Sequence, residues 1–238
     1  PVCDSCENCT ILAQSSGLIT LQNNIGVDTA SCIVLGSSNV EIDCAGHSIY
    51  AGPVFIQNVQ ADCGIDAWQD NFVNITVHDC VFTDGAFGYG SWVNDSLDYN
   101  NSATSDVTFG RNSYMDINTI IENNSYYFME VDYGNNVTVR NNIVGNYLLL
   151  WDTNNSLIYG NNISDHYLNG GGITLEGSLN NNISNNYISL WGACPEICTF
   201  ARGVLLKSGS NNNLIQENQL IPAGDFYTPI RTESSFDN

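Results

Sequence analysis

The sequence predicts an all-β fold, a right-handed parallel β-helix, and three observations carry that expectation: a short Asn-marked motif recurs, each copy alternates apolar with polar residues, and the joins between copies lack two-residue hairpin turns. The clearest copies are residues 136–144 (NVTVRNNIV), 156–164 (SLIYGNNIS), 180–188 (NNNISNNYI) and 212–220 (NNLIQENQL). Residues 118–126 (NTIIENNSY) and 74–82 (NITVHDCVF) are earlier copies, and 39–49 (NVEIDCAGHSI) is a divergent relative.

Within a copy, a run such as Val137-Thr138-Val139 sends one side chain inward and the next outward, which is the period of a strand. A helix would need roughly 10–12 continuous residues at a 3.6 period, and no copy offers that. The Asn that follows the strand falls at Asn124, Asn142, Asn162, Asn186 and Asn218, at spacings of 18, 20, 24 and 32, and Cys80 takes its place 44 residues before Asn124. These intervals suit one coil each, with the longest spanning two coils and the 32-residue one carrying an insertion. Asn fits a bend because it tolerates the left-handed conformation, and its amide can bond the Asn of the coils above and below as a ladder. Inward Val, Ile, Leu and aromatic residues form a linear core that no coil can bury alone.

The expected organisation follows the motif. Residues 1–16 form a Cys-rich N-terminal arm, 17–221 the β-helix with insertions near 84–105 and 191–202, and 222–238 a polar C-terminal tail. No amphipathic helix is readable at either terminus.

The Asn-rich repeats resemble the parallel β-helix repeats of secreted bacterial and archaeal proteins, over residues 40–220. The nearest groups are a periplasmic copper-binding family linked to nitrous oxide reductase maturation and the carbohydrate-binding or sugar-hydrolysing β-helix domains. Such a resemblance implies architecture strongly and activity weakly.

Composition restricts partners. Five Lys+Arg stand against 25 Asp+Glu, a formal charge of -20, and Asn, with 34 residues, supplies most of the remaining polar surface. Phosphate recognition needs clustered basic residues, so nucleic acid and anionic lipid are excluded as partners. No stretch reaches the roughly 20 apolar residues of a membrane span. A chain opening Pro1-Val-Cys, with no initiator Met and no basic, apolar leader, is expected to be a mature secreted product, extracellular or at the cell surface.

The cysteines are Cys3, Cys6, Cys9, Cys32, Cys44, Cys63, Cys80, Cys194 and Cys198, all disulfide candidates in an oxidising compartment. Their number is odd, which leaves at least one unpaired, buried as a small apolar group, or bonded to another subunit. Cys3-x-x-Cys6-x-x-Cys9 also resembles half a zinc site, completed only if Cys194 and Cys198 fold back onto it. Sequons at Asn8, Asn74, Asn94, Asn100, Asn123, Asn136, Asn154, Asn162 and Asn182 are N-glycosylation candidates.

Catalytic constellations are sparse. A polysaccharide lyase needs a basic residue beside a carboxylate, often with calcium, and the basic residues are Arg111, Arg140, Arg202, Lys207 and Arg231 alone. Arg140 takes an outward position without an acidic calcium cluster. A glycosidase needs two carboxylates facing one sugar. Glu41 and Asp43 qualify, with Asp79 or His78 on a neighbouring coil, but the aspartate pair and the Gly-His-Gly and Arg-Ile-Lys motifs of polygalacturonases are absent. For copper, which the resemblance implies, His47, His78, His166 and two Met show no ligand spacing, so no metal or cofactor is expected. Aromatic clusters at 126–128, 147–151 and 187–191 either stack in the core or form a platform for sugars or another subunit.

The ends of a parallel β-helix leave backbone groups unpaired. Uncapped ends predict a self-associating chain, an extracellular structural subunit of a fibre or surface layer that stacks end to end, with adhesion as an added expectation. The alternative is an extracellular carbohydrate-binding or polysaccharide-degrading protein.

Overall fold

The computed structural model describes residues 1–27, 32–51, 63–66, 72–83, 87–90, 93–109, 117–165, 171–190, 201–221 and 227–233. Every strand pairing among them is parallel to the equivalent strand one coil away, as the recurrent motif predicts. The first face is a ten-stranded sheet running from Val2–Cys3 through Gly17–Leu21, Val40–Asp43, Thr76–His78, Leu97–Tyr99, Ile120–Glu122, Thr138–Arg140, Leu157–Tyr159 and Asn182–Ser184 to Leu214–Gln216. A sharp corner leads to the second face, which runs from Ile25–Val27 to Gln219–Ile221. The strands Ser102–Phe109 and Ser125–Asp132 carry on from it into the third face, which continues through Leu148–Trp151, Gly171–Glu176 and Ala201–Lys207 to Tyr227–Glu233.

Each coil places the same few positions inward. The central row of the first face reads Ile19, Ile42, Val77, Asp98, Ile121, Val139, Ile158, Ile183, Ile215, and the apolar members from Ile19 to Ile183 are at most 1% exposed. Burying each of those side chains contributes about 1.5–3 kcal/mol, a gain available only once neighbouring coils cover it.

The corner after the first face divides labour between two adjacent residues. The first is left-handed: Asp79, Asn100, Asn123, Asn141, Gly160, Asn185 and Glu217 all have positive φ. The second points inward and builds the ladder, in which Cys80 N donates to Asn101 Oδ1, Asn101 N to Asn124 Oδ1, Asn124 N to Asn142 Oδ1, Asn142 N to Asn161 Oδ1, Asn161 N to Asn186 Oδ1 and Asn186 N to Asn218 Oδ1, at 2.8–3.0 Å. Asn124, Asn142, Asn186 and Asn218 stand in this column, and between Asn142 and Asn186 the member is Asn161 in place of the expected Asn162, which lies exposed on the outer side of the next strand. The Asn doublet fits the motif in either frame. Ile158 and Ile163 decide, because a one-residue slip would turn both out of the core. A second corner works the same way, with left-handed Asn39, Asn74, Asp95, Asn118, Asn136, Asn155, Asn180 and Asn212 preceding the first-face strands.

Three further expectations are corrected. Residues 93–105 are not looped out: Leu97–Tyr99 pairs with Thr76–His78 on one side and Ile120–Glu122 on the other, so residues 95–103 are a full copy of the motif. The N-terminal arm is not free of helix. Helix α1 (Cys6–Leu12) covers the first coil, burying Cys6, Cys9 and Ala13. Ser5 caps it, and Thr10 and Gln14 bond the strand edge at Cys32, Val34 and, through Ala13 O, Gly36. Nor does the C-terminal segment leave the sheet, since Tyr227–Glu233 pairs along Ala201–Lys207. Of the insertion near 191–202, residues 191–200 lie outside the described residues, and Ala201 and Arg202 begin a third-face strand.

The cysteines form three disulfides among the described residues, Cys3–Cys9, Cys6–Cys32 and Cys44–Cys80. The first two pin α1 to the opening coil, so the CxxCxxC segment is a disulfide clip and not half a zinc site. Cys44–Cys80 sits at the ladder position and joins two coils covalently where the Asn column ends. Cys194, Cys198 and the side chain of Cys63 lie outside the described residues.

Candidate functional site

The outward rows of the first face carry its chemistry. One row runs Thr20, Asp43, His78, Tyr99, Glu122, Arg140, Tyr159, each one coil beyond the last. Glu41 occupies the other outward position of the Asp43 strand, and the left-handed backbone of Asp79 (φ 54°) lets its carboxylate turn back beside His78. Two stretches 35 residues apart in sequence are thereby brought side by side.

His78 is the centre. Its Nδ1 lies 2.8 Å from Asp79 Oδ2 and 3.8 Å from Asp43 Oδ1, and its Nε2 lies 3.2 Å from Glu41 Oε1. Tyr99 stacks on the ring, with centroids 4.7 Å apart and planes 7° from parallel. Asp43 Oδ1 also accepts from Ala45 N at 2.8 Å, which fixes that carboxylate. Burial pushes the imidazole pKa down, but hydrogen bonds to Asp79 and Glu41 and the charges of Asp43 and Asp79 outweigh it, so the pKa stands above its usual value. The carboxylates open onto a cleft of about 470 Å³ lined by Asp43, Ala45, Gly46, Asp79, Asn100 and Ser102. The sequence-level grouping of Glu41 and Asp43 with His78 and Asp79 is a real juxtaposition. Tyr99 is not legible as a member of this cluster, because its strand lies in a stretch that reads as a polar loop.

Two coils further on, Glu122 pairs with Arg140 Nε, and Arg140 Nη1 donates to Tyr159 Oη at 3.2 Å. The pair holds the guanidinium more firmly protonated than usual, which disfavours Arg140 as a proton-abstracting base. Inside the same face lies Asp98, 2% exposed, in a row otherwise of Ile and Val. It accepts from Tyr126 Oη (2.8 Å), Asn101 Nδ2 (2.7 Å) and Asn124 Nδ2 (2.9 Å).

Right handed beta helix region is the description of the family model that matches residues 99–228, more than half of the chain. This chain belongs to the right-handed β-helix family. No curated protein and no solved structure matches it. This β-helix protein carries three disulfides among the described residues, bonds of the kind that form and persist under oxidising conditions.

The sequons fall on varied surfaces of the β-helix. Asn8, Asn74, Asn100, Asn123, Asn136 and Asn162 are exposed, whereas Asn94, Asn154 and Asn182 are half-buried. Asn94 Oδ1 accepts from Ile117 N and Asn154 Oδ1 from Leu179 N, so their amides already serve the coil joins. The aromatic clusters divide: Tyr126 and Phe128 are buried, while Tyr127, Trp151 and Tyr187 stand at least 40% exposed.

The two ends of the solenoid differ. At the N-terminal end, α1 covers the coil, and Val2 of the first strand and Ile11 of the helix stand 55% and 63% exposed. At the other end, Leu214–Gln216 and Gln219–Ile221 are, among the described residues, terminal strands paired on one side only. Their inward Ile215 and Leu220 are only partly buried, where Ile183 and Ile188 one coil before are fully so. Leu214 and Ile230 are 51% and 46% exposed.

Proposed function

We propose that this β-helix protein is an extracellular structural subunit that stacks end to end into a cell-surface fibre or layer. The observation that carries the reading is the last described coil, whose core row and strand edges are left partly uncovered while the first coil has a helical cap. A second copy is the natural occupant because the ends are unlike in shape and in the placement of the few basic residues. The first 110 residues contain no Lys or Arg, and Asp4 and Glu7 stand at the N-terminal end. Arg202, Lys207 and Arg231, three of the five basic residues, lie on the last two third-face strands, with Arg202 and Arg231 sharing Glu233. Unlike ends meet head to tail, and such a contact repeats without closing.

Light scattering and electron microscopy over a concentration series test this. The parent forms linear multimers, and Leu214→Glu with Ile230→Glu, both on exposed positions that leave the core intact, shifts the onset at least roughly tenfold upward in concentration. A parent that stays monomeric at every concentration contradicts the proposal. The alternative, a carbohydrate-binding or polysaccharide-degrading protein, draws support from the paired carboxylates around His78. Glycan-array binding or release of reducing ends by the monomer would favour it.

A further inference from the structure

The geometry points to a divalent-metal site of the zinc class at His78 Nδ1, Asp43 and Asp79, with Glu41 as the outer carboxylate that orients the imidazole. Metal-binding histidines coordinate through one ring nitrogen while the other N–H is held by a carboxylate or carbonyl. His78 has that division of labour: Glu41 Oε1 holds Nε2, and two carboxylates converge on Nδ1. One nitrogen and two oxygens suit zinc, which accepts three protein ligands and keeps a fourth position for water.

Spacing permits closure. One donor atom from each of Asp43, His78 and Asp79 lies within 4.8 Å of the others. Bonds of about 2.0–2.2 Å in a tetrahedron place ligand atoms roughly 3.3–3.6 Å apart, so closure needs the widest pair to contract by at most about 1.5 Å and His78 Nδ1 and Asp79 Oδ2 to part by about 0.5–0.8 Å. Asp79 is 44% exposed in its side chain, which leaves it room to rotate toward the Asp43 carboxylate that Ala45 N holds in place. Tyr99 covers one face of the ring, and the adjoining cleft brings water to the open position.

Charge supplies an independent reason. Three carboxylates surround a group that can carry at most one positive charge, and no Lys or Arg occurs in the first 110 residues to offset the remainder. A divalent cation does so at the point of highest negative potential. On binding, the metal takes the place of the Nδ1 proton, which passes to solvent. The Nε2–H bond to Glu41 is kept, and no oxidation state changes.

Calorimetric titration of the thiol-blocked protein with Zn²⁺ at one fixed pH, with Co²⁺ absorption as a second readout, tests the site. One equivalent binds, and Co²⁺ gives the intense visible bands of a four-coordinate centre. Asp79→Asn, Asp43→Asn and His78→Gln abolish the uptake while Glu7→Gln, on α1, leaves it unchanged. Glu41→Gln weakens it roughly 10–100-fold, the expected effect of losing an orienting partner. Circular dichroism confirms that each variant is folded, and the Asn variants preserve side-chain volume. No uptake by the parent, or uptake that survives both Asp79→Asn and His78→Gln, overturns the assignment.

Discussion

Asn161→Ala lowers stability by roughly 3–5 kcal/mol in denaturant unfolding, whereas Asn162→Ala, one residue away, changes it by less than about 0.5 kcal/mol. Asn161 Oδ1 accepts from both the backbone N and the Nδ2 of Asn142, and its Nδ2 donates to Val139 O at 3.0 Å and to Asn186 Oδ1 at 2.9 Å. Truncation leaves the buried Asn142 N–H without its acceptor, at a cost of about 1–3 kcal/mol, and strips one hydrogen bond each from Asn142 Nδ2, Val139 O and Asn186 Oδ1, at about 0.5–1.5 kcal/mol apiece. Asn162 joins the neighbouring coil through its backbone N–H, which donates to Asn142 O and is kept in the alanine variant, and its side chain is exposed on the outer side of the strand. Equal effects at the two positions would mean that the coil is threaded one residue out of the register described.

Between pH 4 and pH 7 the protein loses stability as pH rises, and Asp98→Asn removes most of that dependence. Burial raises the Asp98 pKa to about 7, against the opposing hydrogen bonds from Tyr126, Asn101 and Asn124. The sign follows from linkage: in this window the folded state holds a proton that the unfolded chain, with an ordinary carboxyl near 3.8, has given up. The folded state is therefore favoured at acid pH, and the advantage falls as pH climbs toward 7. Three pKa units correspond to about 4 kcal/mol for a fully buried group. Asp98→Asn, neutral throughout, is then less stable than the parent near pH 4 and gains on it by about that amount near pH 8. Urea midpoints of both proteins across the range measure the difference, and parallel pH profiles would refute the assignment of the dependence to Asp98.

That same carboxylate explains why one coil was hard to read. Residues 95–103 (DSLDYNNSA) carry the motif with Asp at the position where Ile or Val stands elsewhere, and the broken alternation hides a strand in what reads as a polar loop. Only the fold supplies Tyr126 from the next coil, opposite the small Ala103, to satisfy the buried carboxyl group. Where the inward row stayed apolar, as at Val139, Ile158 and Ile183, strand and stacking were legible from sequence alone. Helix α1 was not, because seven residues are too short to show a period and its buried side is made of Cys6, Cys9 and Ala13 in place of larger apolar groups. The second-face corner was half legible: Asn marked the turn, but the separation of left-handed residue from ladder residue is a matter of backbone conformation that a doublet does not reveal. The His78 cluster was legible as candidates and not as a site, since its geometry depends on the register between coils 35 residues apart.

A high-resolution density map of the particle tests the stacked register most directly. The side chains of Asn101, Asn124, Asn142, Asn161, Asn186 and Asn218 should form one continuous inward column with a rise of about 4.8 Å per coil, ending at the Cys44–Cys80 bridge. Antiparallel neighbours along Thr138–Arg140 and Leu157–Tyr159, or a column that contains Asn162 in place of Asn161, would contradict it.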